Sequence, residues 1–142
     1  MKKIFYLFIL LFITVACEQT IENEDSIISE SNITGEWTVN AYIDNNIVFG
    51  PFTVTTQLNS ENESVSLKDN GEFWKFQTKA ELLETNNTFA AKSSVNEICN
   101  VGAKINIING SVINKDSIAF DIQFEDDKER YGNTYKIMGH RN

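Results

Sequence analysis

The sequence predicts an all-β fold, a small antiparallel up-and-down β-barrel of about eight strands. Apolar and polar residues alternate with period two in most apolar segments, as they do in strands with one buried face. Turn-forming residues separate these segments at short intervals, while helical periodicity is scarce. Sequential strands joined by turns favour an up-and-down barrel.

The segment from Ser117 to Glu125 alternates most regularly, with Ile118, Phe120, Ile122 and Phe124 on one face. Similar patterns predict further strands at residues 37–44, 52–58, 73–77, 88–95, 103–108 and 131–138. Between them, Asn109-Gly110 predicts a hairpin, because both residues tolerate positive φ. Phe49-Gly50-Pro51-Phe52 predicts a turn, and residues 79–83 fit one helical turn.

The N-terminus has the pattern of an export signal. Lys2 and Lys3 precede an apolar run, residues 4–16, that is shorter than the roughly 20 residues of a membrane-spanning helix. The run ends in Thr14-Val15-Ala16-Cys17, which resembles a bacterial lipobox although Thr14 stands where that motif prefers leucine. We therefore expect cleavage before Cys17 and acylation of this cysteine, with an ordinary cleaved signal as the alternative.

The next segment is polar and acidic, with Glu22, Glu24 and Asp25 close together and no aromatic residue. Such a segment cannot bury enough surface to fold alone. The expected organisation is a signal peptide at residues 1–16, an acylated cysteine and tether at 17–31, and a barrel domain at 32–142. An acylated Cys17 leaves Cys99 without a disulfide partner, and we expect Cys99 to be a small buried apolar residue.

The chain is acidic, with a formal net charge of −8 that becomes −10 once Lys2 and Lys3 are removed with the signal. Nucleic-acid binding requires a basic face, so this charge argues against a nucleic-acid partner. The expected partners are a membrane, through acyl chains on Cys17, and a small apolar molecule. The sequence does not indicate an oligomeric state.

Several segments together resemble one family of proteins. They are Gly35-Glu36-Trp37, Phe49-Gly50-Pro51-Phe52, residues 69–76, residues 116–122 and residues 135–141. Their order and spacing after a lipobox resemble the lipid-binding putative hydrolase family of lipoproteins from Bacteroidetes. This resemblance implies a lipocalin-like barrel of the calycin type, lipid binding and an envelope location.

Eight aromatic residues are candidates for the lining of a ligand cavity or for the core of the barrel. Small barrels either fill with side chains or hold one small ligand, and a chain this short needs most of its apolar residues for stability. Any cavity is therefore expected to be shallow or to lie at one open end. The candidates are Trp37, Phe52, Trp74, Phe76, Phe89, Phe120, Phe124 and Tyr135.

Two residues near the C-terminus, His140 and Arg141, form a candidate polar site. In position, Trp37 resembles the tryptophan that closes the base of lipocalin-type barrels, and Arg141 is expected to stack on it. Trp37 and Arg141 would then stabilise the barrel rather than bind a ligand.

Hydrolysis has little support in the residues. His140 is the sole histidine, the candidate nucleophiles Ser111 and Ser117 are ordinary turn or strand serines, and no Gly-x-Ser-x-Gly elbow occurs. We therefore name no catalytic residue, although the family description leaves enzyme activity open. We also expect no cofactor. We expect no metal either, because the acidic cluster at residues 125–129 lacks the spacing of a calcium loop.

Two functions from different classes remain. The first is a membrane-anchored barrel that binds a lipid or another small apolar ligand. The second is a non-catalytic accessory subunit of an envelope complex, which would have a filled barrel and an exposed apolar patch. Weak hydrolysis is a third. The acidic tether resembles the acid-rich signals that direct lipoproteins of this group to the outer membrane, which implies an outer-membrane location with the cell surface and the periplasmic leaflet both open.

Overall fold

A computed structural model of the protein describes residues 32–59, 63–83, 87–99 and 101–142. The expected signal peptide, Cys17 and the tether to residue 31 lie outside these residues. Eight strands follow one another along the chain: β1 Gly35–Ile43, β2 Asn46–Leu58, β3 Ser64–Asp69, β4 Gln77–Leu82, β5 Thr88–Val95, β6 Lys104–Ile113, β7 Ser117–Phe124 and β8 Tyr135–Arg141.

The strands form one closed barrel in sequence order, with each strand antiparallel to its neighbours. β8 closes the barrel by pairing with β1, from Trp37 opposite Arg141 to Tyr42 opposite Lys136. The predicted eight-stranded, all-β, up-and-down architecture is therefore confirmed. In the described ranges, no helix has the length and apolar character needed to cross a bilayer.

The apolar side chains of the period-two pattern point inwards and fill the barrel. β7 shows this most clearly, because Ile118, Phe120, Ile122 and Phe124 are all buried while the residues between them are partly exposed. A void wide enough for a water molecule would leave accessible surface on the side chains around it. The large inward side chains of Trp37, Phe76 and Phe89 have 0% exposure, so the middle of the barrel is packed.

One end of the barrel, which we call the closed end, is sealed around Trp37. The indole Nε1 donates a 2.8 Å hydrogen bond to Thr56 Oγ1, and the Thr56 hydroxyl donates to the carbonyl oxygen of Ile33. The Arg141 guanidinium lies over the indole face, 4.2 Å from the ring centroid. The stacking expected from the sequence is present.

Arg141 also ties both ends of the chain to this seal. Its Nε donates to the carbonyl of Lys115, and its two terminal nitrogens donate to the carbonyls of Thr34 and Asn32, at 2.7–2.8 Å. A side chain on Gly35 would collide with this guanidinium, which explains the glycine at the start of β1. The described chain therefore begins at the closed end.

Local structure differs from the sequence predictions in two turns. Asn109-Gly110 does not form a hairpin but a bulge within β6, with Asn109 at a φ of 54°. Gly110 is buried against the Phe89 ring, so close packing rather than chain reversal requires glycine there. The Phe49–Phe52 segment likewise lies within β2 and is not a separate turn.

Four shorter predictions are also corrected. Residues 79–83 are mostly strand β4 rather than a helical turn, because cross-strand pairing overrides weak local helix preference. Most of residues 73–77 lies in the loop before β4, and β8 begins at Tyr135, after a loop at 125–134. Cys99 is half-buried in the loop between β5 and β6.

The seal predicts a large effect of Trp37→Ala. The substitution leaves a cavity and removes the partners of Thr56 and Arg141, so we expect a loss of about 3–5 kcal/mol and a fall in Tm above about 10 °C. Thermal unfolding followed by circular dichroism measures it. Tyr42→Ala, on the partly exposed face of β1, is the matched control and should cost far less. Equal melting of Trp37→Ala and the native protein would contradict this role.

Candidate functional site

The end opposite the closed end, which we call the mouth, is covered by a short loop between β3 and β4. Phe73 in this loop lies 5.1–6.1 Å, centroid to centroid, from five aromatic rings. Trp74 stacks on Phe124 at 4.4 Å with an interplanar angle of 5°, and its Nε1 donates to Asp126. The aromatic loop therefore plugs the mouth.

A buried carboxylate holds this loop in place. Asp69, the last residue of β3, is 1% exposed. Its Oδ1 accepts hydrogen bonds from the backbone N–H groups of Gly71 and Glu72, at 3.0 Å each. Its Oδ2 accepts from Phe73, Trp74 and Lys75 at 2.8–3.0 Å. Five backbone donors thus offset the cost of burying this charge.

A second polar group supports the other side of the mouth. Asp127 Oδ2 accepts hydrogen bonds from the Asn133 amide at 2.9 Å and from the Tyr135 hydroxyl at 3.2 Å. Desolvation acts to raise the pKa of Asp127, but hydrogen bonds from the Lys128 backbone, Asn133 and Tyr135 outweigh it and leave the pKa lowered. Burial, and then the Asp127 charge, raise the pKa of Tyr135. At neutral pH the pair is a fixed acceptor and donor, which holds the ring of Tyr135 against Phe73.

A cavity of about 1010 Å³ lies on the outer wall of the barrel, across β4, β5 and β6. We call it the flank groove. Its volume is at the upper end of the range typical of small-molecule sites, about 300–1,000 Å³. Residues of three neighbouring strands line it: Lys79, Glu81 and Leu83 along one wall, Ala90, Lys92 and Ser94 on the floor, and Asn106, Ile108, Asn109 and Ser111 along the other wall.

Two local features make this wall concave. Ala90 and Ser94 on β5 are smaller than their outward neighbours on β4 and β6, so the central strand forms a floor. The strands are also irregular, because β5 shifts register twice, β6 shifts once, and β4 pairs with β5 at only two positions. Bulges bend strands and increase twist. A bent β5 between longer side chains therefore produces the groove.

The eight aromatic candidates are mostly in the core. Trp74 is half-buried in the loop at the mouth, and Phe89 is the one candidate among the residues that line the flank groove. The other six, together with Phe89, are buried in the barrel: Trp37, Phe52, Phe76, Phe120, Phe124 and Tyr135. The flank groove lies on the outer wall of the barrel, and its residues are largely ones that the sequence did not single out.

The candidate polar site near the C-terminus divides into two different environments. Arg141 belongs to the seal at the closed end, while His140 is exposed on the outer face of β8, directly opposite Ser117 on β7. Among the described residues, no hydrogen bond joins His140 to Ser117. Ser111 lines the flank groove on a different strand. A nucleophile and base are therefore adjacent on an exposed surface without the hydrogen bond that activates a serine.

Most acidic residues of the loop between β7 and β8 accept hydrogen bonds from other residues of the protein. Glu125 accepts from the Lys104 backbone and from Arg130, and these contacts lower the pKa of Glu125. In the part of the chain that the structure describes, no group of histidine, cysteine, aspartate or glutamate residues could hold a metal ion.

Two important features escaped the sequence analysis. Asp69 was recognisable only as the start of an Asp69-Asn70-Gly71 turn, because its burial depends on how the loop folds back over the barrel. The flank groove is formed by alanine, serine and lysine residues that look like ordinary surface positions. The one available signal was the small size of Ala90, Ala91, Ser93 and Ser94 along a single strand.

The family model described as lipid-binding putative hydrolase matches residues 22–142. A comparison with curated proteins found no match.

The role of Asp69 predicts that Asp69→Asn destabilises the mouth. Whichever oxygen the amide nitrogen replaces, at least two backbone N–H groups lose their acceptor, and we expect a loss of about 3 kcal/mol. Denaturant unfolding measures the loss, and a weaker near-ultraviolet tryptophan band reports release of Trp74. Asp116→Asn, in the exposed turn before β7, is the control and should change neither. A native band in Asp69→Asn would show that the loop does not need this carboxylate.

Proposed function

Because the chain belongs to the lipid-binding putative hydrolase family, we propose that it is a membrane-anchored envelope protein that binds the acyl chain of a lipid, or another small apolar ligand, in the flank groove. One observation carries this proposal. The barrel interior is filled, whereas the outer wall over β4–β6 holds a cavity of about 1010 Å³.

The lining of the groove suits such a ligand. Apolar atoms of Leu83, Ala90 and Ile108 are available for burial, and both Leu83 and Ile108 are unusually exposed for their type, at 47% and 40%. Covering them would be favourable by about 25 cal/mol for each Å² of apolar surface removed from water. Polar residues such as Asn106 and Ser111 stand at the margin, as in other ligand sites.

The anchor follows from the N-terminal pattern. Acyl chains on Cys17 would hold the mature protein at a membrane, because several chains together give stable retention. Residues 17–31 can span at most about 50 Å when extended, and they join the barrel at the closed end, where Arg141 contacts Asn32. The mouth then lies at the far end from the point of attachment. The outer membrane of a bacterium of the Bacteroidetes group is the location we propose, on either leaflet.

A second candidate function, an accessory subunit of an envelope complex, is favoured by a different observation. Ile47, Val48 and Phe49, at the start of β2, are exposed by 61%, 47% and 39%. Consecutive exposed apolar residues of this kind mark protein-interaction sites. An accessory subunit is expected to have a filled barrel and an exposed apolar patch, and these three residues together with the packed interior fit that expectation. Failure to bind any apolar probe would favour it over lipid binding.

Hydrolysis is less well supported by the geometry. The adjacent His140 and Ser117 lie on β7 and β8, away from the residues that line the flank groove. A binding function therefore accounts for more of the structure than a catalytic one.

Binding in the groove predicts the effect of Ala90→Trp. The indole would occupy the floor of the groove, so affinity for a fluorescent long-chain fatty acid should fall at least about tenfold, equivalent to about 1.4 kcal/mol. Fluorescence titration measures the affinity, and circular dichroism checks that the barrel is retained.

Thr55→Trp, on the outer face of β2, is the matched control. It adds the same side chain three strands away and should bind as the native protein does. Equal binding by Ala90→Trp and Thr55→Trp would exclude the flank groove as the site.

Anchoring predicts that Cys17→Ser moves the protein out of the membrane fraction. Without a thiol, no acyl chain can be attached, and the tether itself is too polar to hold the chain at a bilayer. Fractionation of cells that express each form, with mass spectrometry of the N-terminal peptide, measures this. A Cys99→Ser control should stay membrane-bound. Retention of Cys17→Ser with the membrane would contradict lipid anchoring.

A further inference from the structure

The flank groove is not uniform along its length. At the end nearer the mouth, Lys79 and Lys92 lie beside Ser94 and Asn106. The middle has Ala90 and Ile108, and the end nearer the closed end has Leu83 with the uncharged Thr88 and Ser111. Both lysines of the lining thus lie at one end of the groove, and the residues that line the other end carry no charge.

The two lysines are in different electrostatic states. Lys79 Nζ forms an ion pair with Glu97 at 3.2 Å, and Glu97 also accepts from Gln77, so Lys79 is held in position. Lys92 is exposed and, among the described residues, has no ion-pair partner within 4.0 Å. One lysine charge at this end is therefore uncompensated in a chain whose formal net charge is −8.

The carboxylates near the groove fix where a negative group can lie. Glu81 is directly opposite Ala90, next to the middle of the floor, and Asp121 on the next strand is held by Asn109. Both would repel an anion placed in the middle of the groove. An anion at the Lys92 end would avoid this repulsion, since Glu97 there is already paired with Lys79.

From this arrangement, and resting on the proposed function, we propose that the flank groove binds a single acyl chain that ends in an anionic group. The carboxylate or phosphate lies between Lys79 and Lys92, and the chain follows β5 over Ala90 and Ile108 towards Leu83. A free fatty acid and a lysophospholipid with a terminal phosphate share this chemistry. A neutral lipid would satisfy the apolar floor but leave the charge of Lys92 unmatched.

Competition against a bound fluorescent fatty acid tests the polarity of the groove. The competitors are a long-chain fatty acid, lysophosphatidate and a monoacylglycerol of equal chain length. We expect both anionic lipids to displace the probe at roughly fivefold lower concentration than the neutral lipid, the effect that a few partly exposed charge pairs provide. This preference should diminish in high salt, and the better of the two anionic competitors identifies the source of the anion.

Lys92→Gln assigns the effect to the groove. In this variant, the concentrations at which the anionic and neutral competitors displace the probe should differ by no more than about twofold. Lys68→Gln, on the outer face of β3, should keep the native preference for anionic competitors. Equal displacement by all three lipids in the native protein, or an unchanged preference in Lys92→Gln, would overturn this inference and leave apolar binding intact. Absence of probe binding by the native protein would instead overturn the proposed function itself.

Discussion

Packing of the barrel interior is the constraint on which the other features depend. Eight short strands enclose a narrow space, and Trp37, Phe76, Phe89, Phe120 and Phe124 fill it together with branched aliphatic residues. These side chains give a small domain the buried apolar surface that it needs for stability. The same packing leaves no room beside them for a ligand in this conformation, so we place the proposed binding site outside the barrel interior. The concave outer wall over β4–β6 offers such a position.

Both ends of the barrel are closed in the same way, by a charged side chain that forms hydrogen bonds with backbone groups. Arg141 donates to three carbonyls at the closed end, and Asp69 accepts from five N–H groups at the mouth. Each charge also positions an aromatic side chain, because Arg141 covers Trp37 and Asp69 fixes the loop of Phe73 and Trp74. The interior is thus sealed at both ends, and the flank groove is an accessible concave surface outside it.

Much of the fold could be predicted from sequence, because a period of two reports directly which side chains face inwards. β7 was predictable for this reason, whereas the role of Trp37 was expected from its resemblance in position to the tryptophan of lipocalin-type barrels. The bulge at Asn109-Gly110 was not, since a glycine that admits the Phe89 ring and a glycine that reverses the chain look alike in sequence. The site was harder still. A groove made by bent strands and small outer residues depends on register shifts, which no local pattern encodes, and the burial of Asp69 depends on a loop that folds over distant strands.

The central claim is that ligand binds to the outer wall of a filled barrel. Amide chemical-shift mapping by NMR during titration with a long-chain fatty acid tests it most directly. The account predicts that the largest shifts occur in β4, β5 and β6, around Ala90, Lys92 and Ile108, while Phe73, Trp74 and Tyr135 change little. Large shifts confined to those three mouth residues and to the inward positions of β7 would mean that the aromatic loop opens and the ligand enters the barrel, contrary to the account.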